Sequence, residues 1–420
     1  MDHPSRYKCG GREKSPKALQ DLMESLKSEV SAIIDSLGER LWEISRWIHD
    51  HPELGYREFE ASRLLASELE RAGFEVTRGV AGLPTAFKAE YRGGAERPRI
   101  GLMAEYDALP GVGHGCGHNV ISAITLGAAL ALSRIMKRLP GTLVVFGTPA
   151  EEAYVENAGG KVVMLDEIKT VDAAMMFHPS TRTTTICSNL CREALEFEFL
   201  GRAVHAAGET WRGVNALEAA MLTFTAINAL RQHLKPGILV HGIIAEGGEA
   251  PNIIPDRAVI RLYVRAKNPE ELEEASERVK NCARGAAIAT GAEVRIRNYA
   301  NTYLNMITNM TLAEALERNL RALGVEIDEP REGRGSTDMG NVSHHVPAVH
   351  AYIKIAPEGT PGHSHEFAEA AVSEEAEKMI LIGAKALAMT VIDLLTKPEL
   401  MRRVREEFEK AVEGRGNLDA

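Results

Sequence analysis

Short apolar segments alternate with helical segments along most of this 420-residue chain. The segments at residues 100–104, 142–146, 171–177 and 349–355 are rich in Val, Ile, Leu, Met and Ala. Segments of this type are typical of strands that are buried on both faces of a sheet. Their alternation with helices predicts an α/β fold, in which helices cover both faces of a mostly parallel sheet.

The pattern changes between residues 190 and 302, where apolar and charged residues alternate as they do in half-exposed strands. The predicted order there is β-α-β-β-α-β, the order of a ferredoxin-like α+β unit. Helix–strand alternation resumes afterwards, so the chain leaves its first domain and returns to it. We predict three parts: a flexible N-terminal segment (1–18), a discontinuous main domain (19–189 and 303–420) and an inserted domain (190–302).

Composition excludes several classes of partner. The net charge of -10 argues against nucleic acid and, more weakly, against an anionic membrane surface. No apolar segment reads as a membrane span, and residues 120–136, the most apolar segment, are predicted to form a buried helix. The five cysteines are scattered and odd in number, which predicts no disulfide framework and a reducing, cytoplasmic location.

Residues that can bind metal follow four of the predicted strands. They are Glu105 and Asp107 after the first strand, Glu151 and Glu152 after the second, His178 after the third, and His363 and His365 after the last. Any one of these alone is more often a solvated loop residue. Because ligands collect at the carboxyl ends of parallel strands, their recurrence at one edge predicts a metal site.

The segment Gly115–Cys116–Gly–His118 adds a thiolate and an imidazole two residues apart, and its glycines allow both to turn towards one ion. The adjacent glutamates suit a metal-dependent hydrolase, which needs one carboxylate on the ion and another beside the attacking water. We assign Glu152 as a ligand and Glu151 as the general base.

Together these motifs resemble the di-metal aminoacylase and amidohydrolase family of metallopeptidases (clan MH). The branch they resemble holds aminoacylase-like dipeptidases, aminobenzoyl-glutamate hydrolases and indoleacetyl-amino-acid hydrolases. The matching segments are Glu105–Tyr–Asp107–Ala–Leu–Pro, Gly115–Cys116–Gly–His118–Asn, Pro149–Ala–Glu151–Glu152, Phe177–His178–Pro and His363–Ser. The resemblance extends from Trp47 to His363. It implies a hydrolase-like catalytic domain with an inserted lid.

The resemblance also implies a role for each matching residue. Two divalent ions, with zinc expected and manganese or cobalt as alternatives, would be held by Cys116, His118, Glu152, His178 and His363. Cys116 would bridge the ions, Glu151 would activate the water, and Asp107 would support the ligands from behind. In the lid, which would also form a homodimer, His205 would reach the partner's site and stabilise the oxyanion, and Asn252 would contact substrate.

Some assignments stay open from the sequence. His365 is an alternative to His363, and Glu105 stands where many relatives have a metal-binding histidine. Many relatives also carry an arginine, which binds the substrate's carboxylate, after a Gly-Thr-Asp segment; here the corresponding segment is 335–341. Arg334 is a substitute for it, and Asp338 is a candidate for binding a substrate amine.

The resulting prediction is a metal-dependent amidohydrolase or peptidase that cleaves dipeptides or N-acyl amino acids. An aminobenzoyl-glutamate-type hydrolase is the alternative, and a non-catalytic metal-binding protein is a remote one. A serine hydrolase is disfavoured because the chain has no Gly-x-Ser-x-Gly motif.

Overall fold

The protein is described here by a computed structural model that covers residues 16–413. The strands in that range are β1 (Glu75–Arg78), β2 (Phe87–Arg92), β3 (Arg99–Ala104), β4 (Thr142–Gly147), β5 (Ala173–Ser180), β6 (Cys191–Leu200), β7 (Leu239–Glu246), β8 (Arg257–Ala266), β9 (Glu293–Tyr303) and β10 (Ala348–Lys354). The α-helices in the same range are α1 (Pro16–Ser36), α2 (Gly38–Asp50), α3 (Phe59–Arg71), α4 (His118–Ser133), α5 (Gly160–Val163), α6 (Leu165–Ile168), α7 (Ala216–Leu230), α8 (Pro269–Thr290), α9 (Met310–Ala322), α10 (Met339–Ser343), α11 (His365–Ala370), α12 (Glu374–Thr396) and α13 (Pro398–Val412).

The main sheet has the strand order β1-β2-β4-β3-β5-β10. The four strands from β4 to β10 are parallel, and β2 and β1 are antiparallel additions at one edge. Successive side chains enter different cores: Leu102 of β3 packs with the cluster that contains α4 and α12, whereas Met103 packs on the opposite face. The predicted mostly parallel sheet with helices on both faces is confirmed.

The second sheet is antiparallel, with the order β7-β8-β6-β9. Helices α7 and α8 pack against it through residues such as Ala220 and Val279. The order β6-α7-β7-β8-α8-β9 is the predicted β-α-β-β-α-β arrangement. Its strands lie between Cys191 and Tyr303, and the domain limits themselves stay a prediction. Residues 1–15 of the predicted N-terminal segment lie outside the described range, and residues 16–18 already belong to α1.

Helix α12 is long and apolar enough to cross a membrane by length and composition, which the sequence prediction overlooked. Of its most apolar window, 78% is buried within the protein. It packs against α4, which is itself buried throughout. Both are therefore core helices of the main domain.

The contact between α4 and α12 depends on small residues. A Cβ on Gly127 of α4 would lie 2.7 Å from Leu41 Cδ1 and 3.1 Å from Ala384 Cβ. We expect Gly127→Val to lower the free energy of unfolding by about 1–3 kcal/mol in urea titrations. Gly285→Ala in α8 is the matched control: no atom lies within 4 Å of the added Cβ, so we expect a gain of about 0.5–1 kcal/mol. Equal effects of the two substitutions would contradict this packing.

Candidate metal centre

The residues predicted to bind metal meet where the parallel strands of the main sheet end. Those that lie at this edge are Glu105 and Asp107 after β3, Glu151 and Glu152 after β4, His178 near the end of β5, and His363 in the loop after β10. The strand order places β3 between β4 and β5, so the first three segments are neighbours. This is the edge at which open α/β sheets bind ligands.

Cys116 and His118 reach the same place through a tight turn. Gly117 between them has φ 76° and precedes α4, which begins at His118. A Cβ on Gly117 would lie 2.9 Å from Pro179 Cγ. Both the left-handed backbone and the close approach require glycine, and the turn directs the thiol and the imidazole towards one point.

Cys116 lies between two sets of candidate ligands. Its Sγ is 3.4 Å from Nε2 of His178 and 3.6 Å from Nε2 of His363. The same nitrogen of His363 is 3.3 Å from Oε1 of Glu152. Two ligands of one tetrahedral zinc ion lie about 3.4–3.6 Å apart when the bonds are about 2.0–2.3 Å long. The observed separations therefore fit ligands that share an ion.

Among the described residues, three groups have ligand atoms that all lie within 4.8 Å of one another. They are Cys116, His118 and His178; Cys116, Glu152 and His363; and His118, Glu151 and Glu152. The first two groups share Cys116, as a residue in contact with two ions would require.

The hydrogen bonds leave the right atoms free for metal. Nδ1 of His178 donates to the carbonyl of Pro179 at 2.7 Å, and Nδ1 of His118 donates to Asp107 Oδ1 at 2.9 Å. These bonds fix the tautomers and direct each Nε2 towards the cluster. Nε2 of His118 and Oε1 of Glu152 are buried without a hydrogen-bond partner. Buried polar atoms without partners are rare, so the donor set fits divalent cations.

Glu151 lies beside this cluster and is 8% exposed. Burial raises its pKa well above the usual range for a carboxylate, and the charges of Glu105 and Glu152 add to the shift. Its backbone carbonyl accepts a hydrogen bond from Tyr303 Oη at 2.6 Å. Its carboxylate lies within 4.8 Å of ligand atoms of His118 and Glu152, which is where a general base for a metal-bound water would have to lie.

Behind the cluster, the buried Lys161 compensates the negative charge of Glu105 and Asp338. This residue was not identified from the sequence. Nζ of Lys161 is 2.5 Å from Glu105 Oε1 and 2.6 Å from Asp338 Oδ1. All three side chains are inaccessible to solvent. Burial opposes the ionisation of Glu105, but the positive charge of Lys161, together with His118 and His178, lowers its pKa to about 2. No local pattern distinguishes this lysine from a surface one.

The position of Asp338 corrects its predicted role in binding substrate. One carboxylate oxygen bonds to Nζ of Lys161 and the other accepts from the backbone N–H of the same residue at 2.9 Å. The carboxylate is therefore occupied and enclosed. Glu105 is outside the three ligand groups, although its Oε2 lies 3.5 Å from Nε2 of His118.

The metal cluster opens into a cavity of about 510 Å³ between the two sheets. Its far wall includes Arg192, Arg265 and Tyr263 from the second sheet, and Ser336. Arg265 donates to Ser336 Oγ at 2.7 Å, and Nε and Nη1 of Arg192 are buried without partners. Arg334, the substitute considered from the sequence, is exposed.

His205 and Asn252 are exposed and lie away from this cavity. Their loops contact each other, since Ala206 N–H donates to the carbonyl of Asn252 at 2.9 Å. The structure therefore does not bring either residue to the cluster of its own chain.

Among the other histidines, His350 is buried beside His178, with ring centroids 5.5 Å apart, and it lines the cavity but lies outside the ligand groups found in the described range. His363 belongs to a ligand group, whereas His365 is exposed and begins α11. His49 and His344 bond to backbone carbonyls, of Ala368 and Asn305 respectively. His114 is buried but lies outside the ligand groups found in the described range.

A parallel sheet that ends in thiolate, imidazole and carboxylate ligands, with a spare buried glutamate, defines a metal-dependent hydrolase. The model of Peptidase family M20/M25/M40 matches residues 101–393. The chain belongs to this family and is a hydrolase that acts on amide or peptide bonds.

Known relatives cover almost the whole chain. The Xaa-Arg dipeptidase of Homo sapiens is 38% identical and aligns with 96% of this chain and 94% of its own length. A p-aminobenzoyl-glutamate hydrolase subunit of Escherichia coli is 28% identical, over 93% of this chain and 96% of its own. Among solved structures, an aminobenzoyl-glutamate utilization protein from Klebsiella pneumoniae has a TM-score of 0.73 at 18% identity, and covers 88% of this chain and 99% of its own.

The buried ion network predicts a pH-dependent effect of Lys161→Met. Two enclosed carboxylates would lose their cation, and we expect metal-free protein to lose about 3–5 kcal/mol of unfolding free energy at pH 7. In the wild type, the lowered pKa of Glu105 contributes stability above about pH 4.5, and this is lost as the pH falls towards 2. The difference between variant and wild type should shrink over that range.

Lys88→Met is the control for this measurement. Lys88 pairs with Glu167 at 2.8 Å, but Glu167 is 40% exposed, so we expect a loss below about 1 kcal/mol with little pH dependence. If urea titrations gave similar losses of unfolding free energy for Lys161→Met and Lys88→Met, the predicted contribution of the Lys161 ion pairs would be wrong.

Proposed function

We propose that this protein hydrolyses the amide bond of dipeptides or N-acyl amino acids, with Glu151 as the general base. The observation that carries the proposal is the pair of ligand groups that share Cys116, together with the third group, in which Glu151 lies within 4.8 Å of His118 and Glu152. Cys116, His118 and His178 would hold one divalent ion, and Cys116, Glu152 and His363 the other. The thiolate favours zinc, with manganese or cobalt as alternatives.

The ions, when bound, would lower the pKa of a water molecule and polarise the substrate's carbonyl group. The Glu151 carboxylate accepts the proton of the attacking water. The same carboxyl group then donates this proton to the leaving amine, so the residue returns to its starting state. Asp107 keeps the ring of His118 and the backbone of Glu152 in place throughout. An intact base in this position argues against a non-catalytic metal-binding protein.

The cavity supports a small substrate with a free carboxylate. Its volume of about 510 Å³ is in the range of ordinary small-molecule sites. The guanidinium groups of Arg192 and Arg265 face the carboxylate-rich cluster from the other wall, where they favour an anionic group on the substrate. Dipeptides with a C-terminal basic residue are the first candidates, because of the similarity to the Xaa-Arg dipeptidases. Aminobenzoyl-glutamate is the second.

The test begins with protein stripped of metal by a chelator and reloaded separately with zinc, manganese or cobalt. We expect the stripped protein to be inactive. The reloaded protein should cleave a dipeptide that ends in Arg or Lys, an N-acyl amino acid or aminobenzoyl-glutamate. Glu151→Gln should lower kcat by about 10²–10⁴-fold and retain its metal content.

Glu156→Gln is the matched control for Glu151→Gln, because Glu156 lies on the same segment but is half exposed and pairs with Arg297. It should keep normal turnover. Near-normal turnover in Glu151→Gln would show that another group is the base. A metal-loaded wild type that cleaves none of the substrates would contradict the proposed function.

We further propose a homodimer formed through the second sheet. Strand β7 is at the edge of that sheet, and its residues from His241 to Glu246 are exposed. Exposed apolar residues on the same unit include Ile243 (63%), Met221 and Leu222. A long, exposed, apolar edge strand is a site for strand pairing between chains. The exposure of His205 agrees with a role in the partner's site.

Ile243→Lys should convert the dimer to monomers in analytical ultracentrifugation. Ile288→Lys on α8 is the control: this residue is 84% exposed, and its substitution should leave the dimer intact.

Mixing inactive His205→Ala and Glu151→Gln chains should restore activity, since one site of each mixed dimer would be intact. A monomeric wild type, or mixed chains that stay inactive, would contradict a shared site.

A further inference from the structure

The residue immediately before the candidate base has an unfavourable backbone conformation. Ala150 is fully buried and has φ 54°, in the left-handed region that residues with a Cβ rarely adopt. Such conformations persist only where the surrounding structure imposes them, and they cluster at functional sites. The contacts that hold Ala150 in this conformation therefore help to set the directions in which the side chains of Glu151 and Glu152 point.

Besides a local bond from Tyr154 N–H to the Glu152 carbonyl (3.0 Å), four hydrogen bonds hold the backbone of residues 150–152. They run from Ala150 N–H to Glu58 Oε1 (2.8 Å), from Gly159 N–H to the Ala150 carbonyl (2.8 Å), from Tyr303 Oη to the Glu151 carbonyl (2.6 Å) and from Glu152 N–H to Asp107 Oδ2 (2.9 Å). Each comes from a different part of the chain. The segment is therefore fixed in its backbone, and its carboxylates remain available to the cluster.

Glu58 makes the contact on the strained residue itself. It is completely buried and directly precedes α3, and its second oxygen accepts from Thr85 Oγ1 at 2.9 Å. No chemistry in the proposed mechanism uses this carboxyl group. Burying a carboxyl group costs free energy unless it is hydrogen-bonded. The bond that Glu58 accepts from Ala150 therefore indicates a structural function.

We propose that Glu58 is a positioning residue that holds Ala150 in its left-handed conformation and thereby directs Glu152 to the metal and Glu151 to the water. Loss of Glu58 leaves the Ala150 N–H buried and unsatisfied. The chain then relaxes towards the ordinary conformation of alanine, which turns both glutamates away from the cluster.

The first test is a zinc titration of metal-free protein, which needs no substrate. We expect Glu58→Ala to weaken zinc affinity about 10- to 100-fold, the usual effect of losing a residue that supports a metal ligand. Glu58→Gln should stay within about threefold of the wild type, since its amide oxygen can accept from Ala150. Thr85→Val, which removes only the other bond of Glu58, should lower stability without this loss of affinity.

The second test separates positioning from a general loss of structure. Glycine adopts a positive φ without strain, so Ala150→Gly added to Glu58→Ala should recover at least about threefold of the lost zinc affinity. A Glu58→Ala variant with wild-type affinity would overturn the proposal, as would a double variant that recovers nothing.

The kinetic part of the inference rests on the proposed function: in the active enzyme, Glu58→Ala should lower kcat more than it changes KM. An unchanged kcat with weakened zinc binding would restrict the role of Glu58 to Glu152. Because the zinc titration is independent of turnover, a failure of the proposed function would leave that test intact.

Discussion

The carboxylate of Asp107 joins the two halves of the metal cluster. One oxygen holds the ring of His118 at the start of α4, and the other holds the backbone N–H of Glu152 after β4. Asp107 can reach both because β3, which delivers it, lies beside β4 in the sheet and is followed along the chain by α4. The strand order thus sets the distance between ligands that are more than thirty residues apart in sequence.

Buried carboxylates lie close together at this edge of the sheet, and in the metal-free protein most of their negative charge is not compensated. The buried carboxylates are Glu58, Glu105, Asp107, Glu151, Glu152 and Asp338. Lys161 pairs with Glu105 and Asp338, but burial still raises the pKa of Asp338, Glu151 and Glu152. Divalent cations would supply the missing positive charge, and their binding would then be coupled to the release of protons from these groups.

The sequence was sufficient to predict the sheet, the inserted antiparallel unit and the residues that form the ligand groups, because strand patterning and ligand spacing are both local. The sequence did not reveal the structural roles of Lys161, Glu58 and Tyr303. These residues act through contacts between distant segments, and their neighbours in sequence carry no distinctive pattern. Asp338 was misread for the same reason: its buried partner, Lys161, is 177 residues away.

The cavity also explains why the second sheet matters to the chemistry. Tyr303 at the end of β9 bonds to the backbone of Glu151, and its ring stacks on the guanidinium of Arg192 at 3.9 Å. The same tyrosine thus contacts the candidate base and a cationic residue of the opposite wall. Since one wall belongs to each sheet, any shift of the second sheet changes the distance between the arginines and the metal cluster. Under the proposed function, that distance would set how far the substrate's anionic group lies from its cleaved amide bond.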